Sequence, residues 1–232
     1  MARGVSKPRR ALFERRENTM KKTLGVFLKA ILAGFCIGVG GNVFLGLIGT
    51  NKALGAVLFA VGLFTICTHG FNLFTGKACY ILENKPSYLG TLVVIWIGNL
   101  IGALAMAALV HCTRLSGPYT EAAQGLVAAK NADSLGSLFV LGMLCNVLIY
   151  IAVDGYKSNP HEFGKYLALI LGVAVFILAG TEHSVADMYY YAAAGELFTG
   201  NAILRLVIIS LGNVVGGLIL PAIKLLAKKC EA

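Results

Sequence analysis

Six mostly apolar stretches, near 29 to 49, 53 to 70, 91 to 111, 135 to 153, 166 to 180 and 202 to 226, constrain this chain more than any other feature. A helix needs about 20 such residues to cross a ~30 Å hydrocarbon core. Lipid offers the main chain no hydrogen bonds, so each crossing has to close its own, which a helix does. With 57% hydrophobic and 13% charged residues and a mean hydropathy of +0.77, the chain is too apolar for a soluble domain of its size. The sequence therefore predicts an all-α integral membrane protein with six transmembrane helices in a single domain over 29–226. A basic cytoplasmic segment (1–28) precedes it and a cytoplasmic tail (227–232) follows. Residues 1–19, ahead of Met20, are read either as part of an inner-leaflet helix or as an extension.

Charge sets the orientation. If the N-terminus is cytoplasmic, 16 of the 20 Lys and Arg residues fall on the inner side, and only Lys52, Arg114, Lys130 and Arg205 fall outside. That bias predicts both termini in the cytoplasm of a cell membrane crossed many times. The same asymmetry accounts for the net charge of +9, so nucleic acid is not an expected partner. The six cysteines, at 36, 67, 79, 112, 145 and 230, form no C-x-x-C pair and suggest neither a disulfide framework nor a zinc site.

An internal repeat organises the six stretches. "IGNLIGAL" at 97 to 104 returns as "LGNVVGGL" at 211 to 218, matching Gly98 with Gly212, Asn99 with Asn213 and Gly102 with Gly216. The copies lie three spans apart, an odd number, so they cross in opposite directions, as in an inverted 3+3 repeat. The glycines are explained equally well by close helix packing. The asparagines are not, because an amide in hydrocarbon needs a partner or a polar cavity. The repeat pairs span two with span five, and both are interrupted: "HGFNLFTGK" at 69 to 77 and "AGTEHS" at 179 to 184. Broken helices in matching positions point to a site near the bilayer midplane, where helix N-termini favour a small anion. Glu182 and His183 are then tolerated because they line the interruption.

Taken together, "NLFTG", "LCNVLIY", "GTEHSVADMYY" and "LGNVVGG" resemble the formate/nitrite transporter family over nearly the whole chain from Met20 onward. That resemblance implies an aquaporin-like fold with helices two and five broken, and a homopentamer with one pore per protomer. It also implies passage of small monovalent anions of weak acids such as hydrosulfide, formate and nitrite, with no cofactor or metal. The resemblance gives His183 the central pore position, Thr75 that of its partner on the second span's loop, and Lys130 that of a vestibule cation. Asn146 and Asn213 match the family's pore asparagines; Phe59, Leu63, Phe74 and Phe176 match its apolar constrictions. One position departs: the family's loop usually reads E-L-F-T, and this chain carries Asn72 before Leu73. The lost carboxylate bears on substrate, and the whole looks closer to the family's hydrosulfide-channel branch.

A charged anion crossing dry apolar rings faces a large desolvation cost. In the expected mechanism Lys130 gathers anions, and His183 either hydrogen-bonds them or donates a proton that makes them neutral. Glu182 supports His183, and Asp187 either shares its helix face or serves as a surface or capping residue. A membrane-embedded hydrolase or metalloenzyme built on Glu182, His183 and Asp187 is the reading from a different class, but no further histidine ligands stand in a recognisable pattern. A neutral-solute channel would share the fold.

Overall fold

The computed structural model describes residues 7–231, with side chains from residue 17 onward. The first six residues of the basic segment and Ala232 of the tail lie outside the described residues. Helix α1 (Lys7–Leu47) runs through Met20 and Lys29 into the first crossing without a break. The second crossing combines α2 (Lys52–His69) with the short α3 (Phe74–Ala78), and α4 (Tyr88–His111) makes the third. After α5 (Ser116–Ala132), the pattern repeats with α6 (Leu135–Ser158), then α7 (Glu162–Leu178) with α8 (Ser184–Ala193), then α9 (Gly200–Cys230). Among the described residues, five helices have the length and composition to cross a membrane alone. The remaining crossing is divided between the 17-residue α7 and the 10-residue α8 because the chain leaves the helix at Gly180.

Helix α5 was not anticipated from the sequence, which has no apolar stretch between the third and fourth spans. Its two buried residues, Ala123 and Val127, are spaced one turn apart. This stripe is too narrow to register against a polar helix surface.

The halves pack alike. Helix α1 lies against α2 and α4, and α6 lies against α7 and α9 in the same way, while α2 meets α7 between the halves. The repeated glycines set these distances. A methyl added at Gly102 would fall 2.6 Å from the Phe35 nitrogen on α1, and one at Gly216 would fall 2.6 Å from the Met143 Cα on α6. Close packing is therefore their role. Between the halves, α8 packs on α4 and α3 packs on α9, so each short helix leans on the other half's last span. The result is an inverted 3+3 repeat with both interruptions brought to the middle.

Candidate functional site

Each interruption begins at a glycine in the left-handed region, Gly70 with φ 65° and Gly180 with φ 69°, where a side chain would be strained. The turns close identically: Phe71 N–H donates to Ile66 O at 2.9 Å and Thr181 N–H to Phe176 O at 3.2 Å. The next amides reach another helix, Asn72 N–H to Lys29 O at 3.2 Å and Glu182 N–H to Leu141 O at 3.3 Å. Leu73 and His183 then stand in extended conformation as the N-caps of α3 and α8.

The two repeated asparagines hold these segments. Asn99 Oδ1 accepts from Phe74 N–H at 2.8 Å, while its Nδ2 donates to Ala30 O at 2.7 Å and Asn72 O at 2.9 Å. Asn213 Oδ1 accepts from Ser184 N–H at 2.9 Å, while its Nδ2 donates to Gly142 O at 2.8 Å and Glu182 O at 2.9 Å. An extended segment in an apolar interior leaves main-chain groups without partners, and each amide satisfies two of them while tying the segment to a helix carbonyl, Ala30 O on α1 or Gly142 O on α6. Asn213 is thus fully engaged with the main chain, and Asn146 is fully buried with its Nδ2 donating to Thr75 O at 3.1 Å. The helix N-termini are less open to an ion than the sequence suggested. The N–H groups of Phe74, Ser184 and Ala186 are already taken by Asn99, Asn213 and His183.

The halves meet where His183 Nε2 lies 2.9 Å from Thr75 Oγ1, across 108 residues of sequence. His183 Nδ1 accepts from Ala186 N–H at 3.0 Å and so caps α8. With Nδ1 an acceptor, the neutral ring carries its hydrogen on Nε2, which donates to the Thr75 hydroxyl. Phe176 stacks on the imidazole at 5.3 Å and 17°, and Phe59 meets Phe176 edge-on at 6.1 Å.

Two cavities approach this contact. One, of about 310 Å³, is lined by Phe176, Thr181, Glu182, His183, Lys130 and Asp187 among others. The other, of about 770 Å³, is lined by Leu63, Ile66, Leu73, Lys77, Tyr80 and Lys157 among others. Their walls correspond through the repeat: Ile66 with Phe176, Leu73 with His183, Lys77 with Asp187, Tyr80 with Tyr190. Phe74 opens α3 and, like Phe59, borders neither cavity.

In the smaller cavity Lys130 Nζ bonds to Glu182 Oε2 and lies 2.9 Å from Asp187 Oδ1, with all three side chains nearly buried. Asp187 is therefore an internal ion-pair partner. Its other oxygen has no hydrogen-bond partner among the described residues, and the cluster carries two carboxylates for one ammonium. Asn72, which corresponds to Glu182, donates its amide to Val26 O at 3.2 Å. Among the described residues no three His, Cys, Asp or Glu side chains gather as a metal site. The sequence reading does not place Asn99 or Leu73 at the site, and gives Asp187 no part in the pore itself. The signal for the first was already in the repeat, as the partner of Asn213.

The chain's similarities agree with this architecture. The sequence model described as "Formate/nitrite transporter" matches residues 10–227. An uncharacterized transporter, YwcJ of Bacillus subtilis (strain 168), is 31% identical over 184 residues, 71% of this chain and 70% of the relative. The formate channel FocA of Escherichia coli (strain K12) is 28% identical over 205 residues, 73% of this chain and 71% of the relative. A solved structure described as a pentameric formate channel with formate bound superposes with a TM-score of 0.78 at 27% identity, covering 90% of this chain and 98% of the other. A second, described as an FNT family ion channel, gives a TM-score of 0.77 at 23% identity, covering 87% and 89%, and speaks to the fold.

Proposed function

Because this chain belongs to the formate/nitrite transporter family, we propose that it passes small monovalent anions of weak acids between the two cavities, through the His183–Thr75 contact. That single contact carries the reading, since it joins the two interruptions, with His183 lining the smaller cavity and Leu73 and Gly76, either side of the Thr75 segment, lining the larger. The chain is a membrane protein; in the arrangement we propose, both termini are cytoplasmic and five copies assemble, each with its own pore. The pentameric formate channel of the same fold supports the assembly.

An anion arriving from the smaller cavity meets Lys130 first. It loses water beside that ammonium and then reaches His183 Nε2–H and the Thr75 hydroxyl. In this tautomer the ring offers a hydrogen bond, so the proton that neutralises the anion comes from the bulk solution, relayed through cavity water. Neutral, the species passes Phe176, Leu63 and Leu73 at a much lower desolvation cost. Phe59 backs Phe176, and Phe74, Asn146 and Asn213 hold the segments that present His183 and Thr75. Glu182 keeps Lys130 in place. Asn72 leaves the first interruption without a carboxylate.

Hydrosulfide heads the substrate order we propose, because its conjugate acid is the weakest of the three and is the most readily made neutral. The names of FocA and of the pentameric channel favour formate as the alternative. Uptake of hydrosulfide, formate and nitrite into liposomes at clamped potential and varied external pH orders the substrates. His183→Asn keeps a capping group and should still lose most of the flux. Undiminished flux in that variant, or no flux of any of the three through folded protein, would overturn the reading.

A further inference from the structure

Lys130 sits near the end of a helix that does not cross the membrane and that buries little of its own surface, so something else must fix it. That anchor is on α9. Arg205 is nearly buried, and Nη1 donates to Lys130 O and to Asp133 O, each at 2.7 Å, while Nη2 donates to Asn131 O at 2.7 Å. Nε donates to Asn201 Oδ1 at 3.0 Å, which orients the guanidinium. The last carbonyls of a helix lack intrahelical partners and carry partial negative charge. A planar fork of N–H groups reaches several of them at once, which an ammonium cannot do. Asn131 reinforces the grip, its Oδ1 accepting from Tyr191 O–H at 2.9 Å and from Asn201 Nδ2 at 3.0 Å, and its Nδ2 donating to Glu196 Oε2 at 3.1 Å. Among the described residues Arg205 forms no ion pair with a carboxylate; its charge is directed at main-chain oxygens.

We infer that Arg205 is a positioning residue, which grips the C-terminal turn of α5 so that the Lys130 ammonium stays between Glu182 and Asp187. Without the grip the turn frays, and Lys130 swings toward solvent. The smaller cavity is then left with two carboxylates that repel anions. The consequence for flux rests on Lys130 acting as the first anion contact; the consequence for Lys130 itself does not.

The test reads both, on the full chain in liposomes, with an amine-reactive reagent and peptide mass spectrometry alongside anion uptake. In Arg205→Gln, modification of Lys130 should rise about fivefold while that of Lys52 is unchanged, and the half-saturating anion concentration should rise about fivefold with a smaller change in maximal flux. Arg205→Lys should lie between, since one ammonium recovers part of the grip. Asn201→Ala, which frees only Nε, serves if Arg205→Gln does not fold and should raise Lys130 modification to a lesser degree. Unchanged Lys130 modification in the folded variant overturns the inference. Raised modification with unchanged half-saturation upholds the positioning and counts instead against Lys130 as an anion contact.

Discussion

The two interruptions share one main chain and carry different side chains. Gly70 and Gly180 make the same turn, Asn99 and Asn213 the same three bonds, and Leu73 and His183 the same extended cap position. Yet where the second interruption has Glu182, His183 and Asp187, the first has Asn72, Leu73 and Lys77. Duplicated geometry is what two unpaired backbone segments in an apolar interior require, and it says nothing about chemistry. The chemistry follows the neighbours. Helix α5 supplies Lys130 to the second interruption and has no counterpart beside the first among the described residues, so Glu182 and Asp187 are held by a lysine where the first interruption has Asn72 and Lys77. The larger cavity is bordered by Lys77, Lys157 and Lys165 together with Glu83 and Glu162, Lys165 being paired with Glu162 and Lys157 Nζ lying 4.4 Å over the Tyr80 ring.

If the main chains are equivalent, the asparagines should be interchangeable in their importance. Asn99→Leu and Asn213→Leu each strand two main-chain groups, at about 1 to 3 kcal/mol apiece, so each should cost about 4 kcal/mol and lower thermal unfolding in detergent by a similar amount. A large difference between the two variants would break the equivalence. The next largest effect should be one-sided. Lys130→Met leaves Glu182 and Asp187 buried without a cation and should cost about 3 to 5 kcal/mol, while Lys77→Met, which breaks no ion pair in the described residues, should cost under about 0.5 kcal/mol.

Smaller tests sharpen the same comparison. Gly70→Ala and Gly180→Ala meet open space and are strained only through φ, so each should destabilise by about 1 to 2 kcal/mol and to the same extent. His183→Leu should cost only about 1 kcal/mol of stability, the loss of a cap, because Leu73 already occupies that position in the first interruption without a side-chain cap bond. Its uptake should nevertheless collapse, and unfolding and flux measured on one preparation separate the two.

Much of this is legible in the sequence. The apolar stretches predicted the crossings, and the polar, glycine-bearing runs at 69 to 77 and 179 to 184 predicted both interruptions. The recurrence of G-N-x-x-G tied the halves together. The resemblance places Asn213 at the pore, and Asn99 is expected only to need a partner or a polar cavity; the helix carbonyls they bond, on α1 and α6, are 69 and 71 residues away. No spacing in the sequence encodes such a pairing.

What the sequence determined by itself was whatever depends on local hydrophobicity and backbone freedom: six crossings, two breaks, an inverted repeat and a histidine at the second break. Tertiary structure alone decided which side chains meet. It brought Thr75 to His183, set Lys130 between Glu182 and Asp187, and anchored α5 through Arg205. A lysine in a polar connection looks the same in sequence whether it is solvated or buried. Only the fold determines whether water is there to solvate it, and where it is not, the charge must find carboxylates.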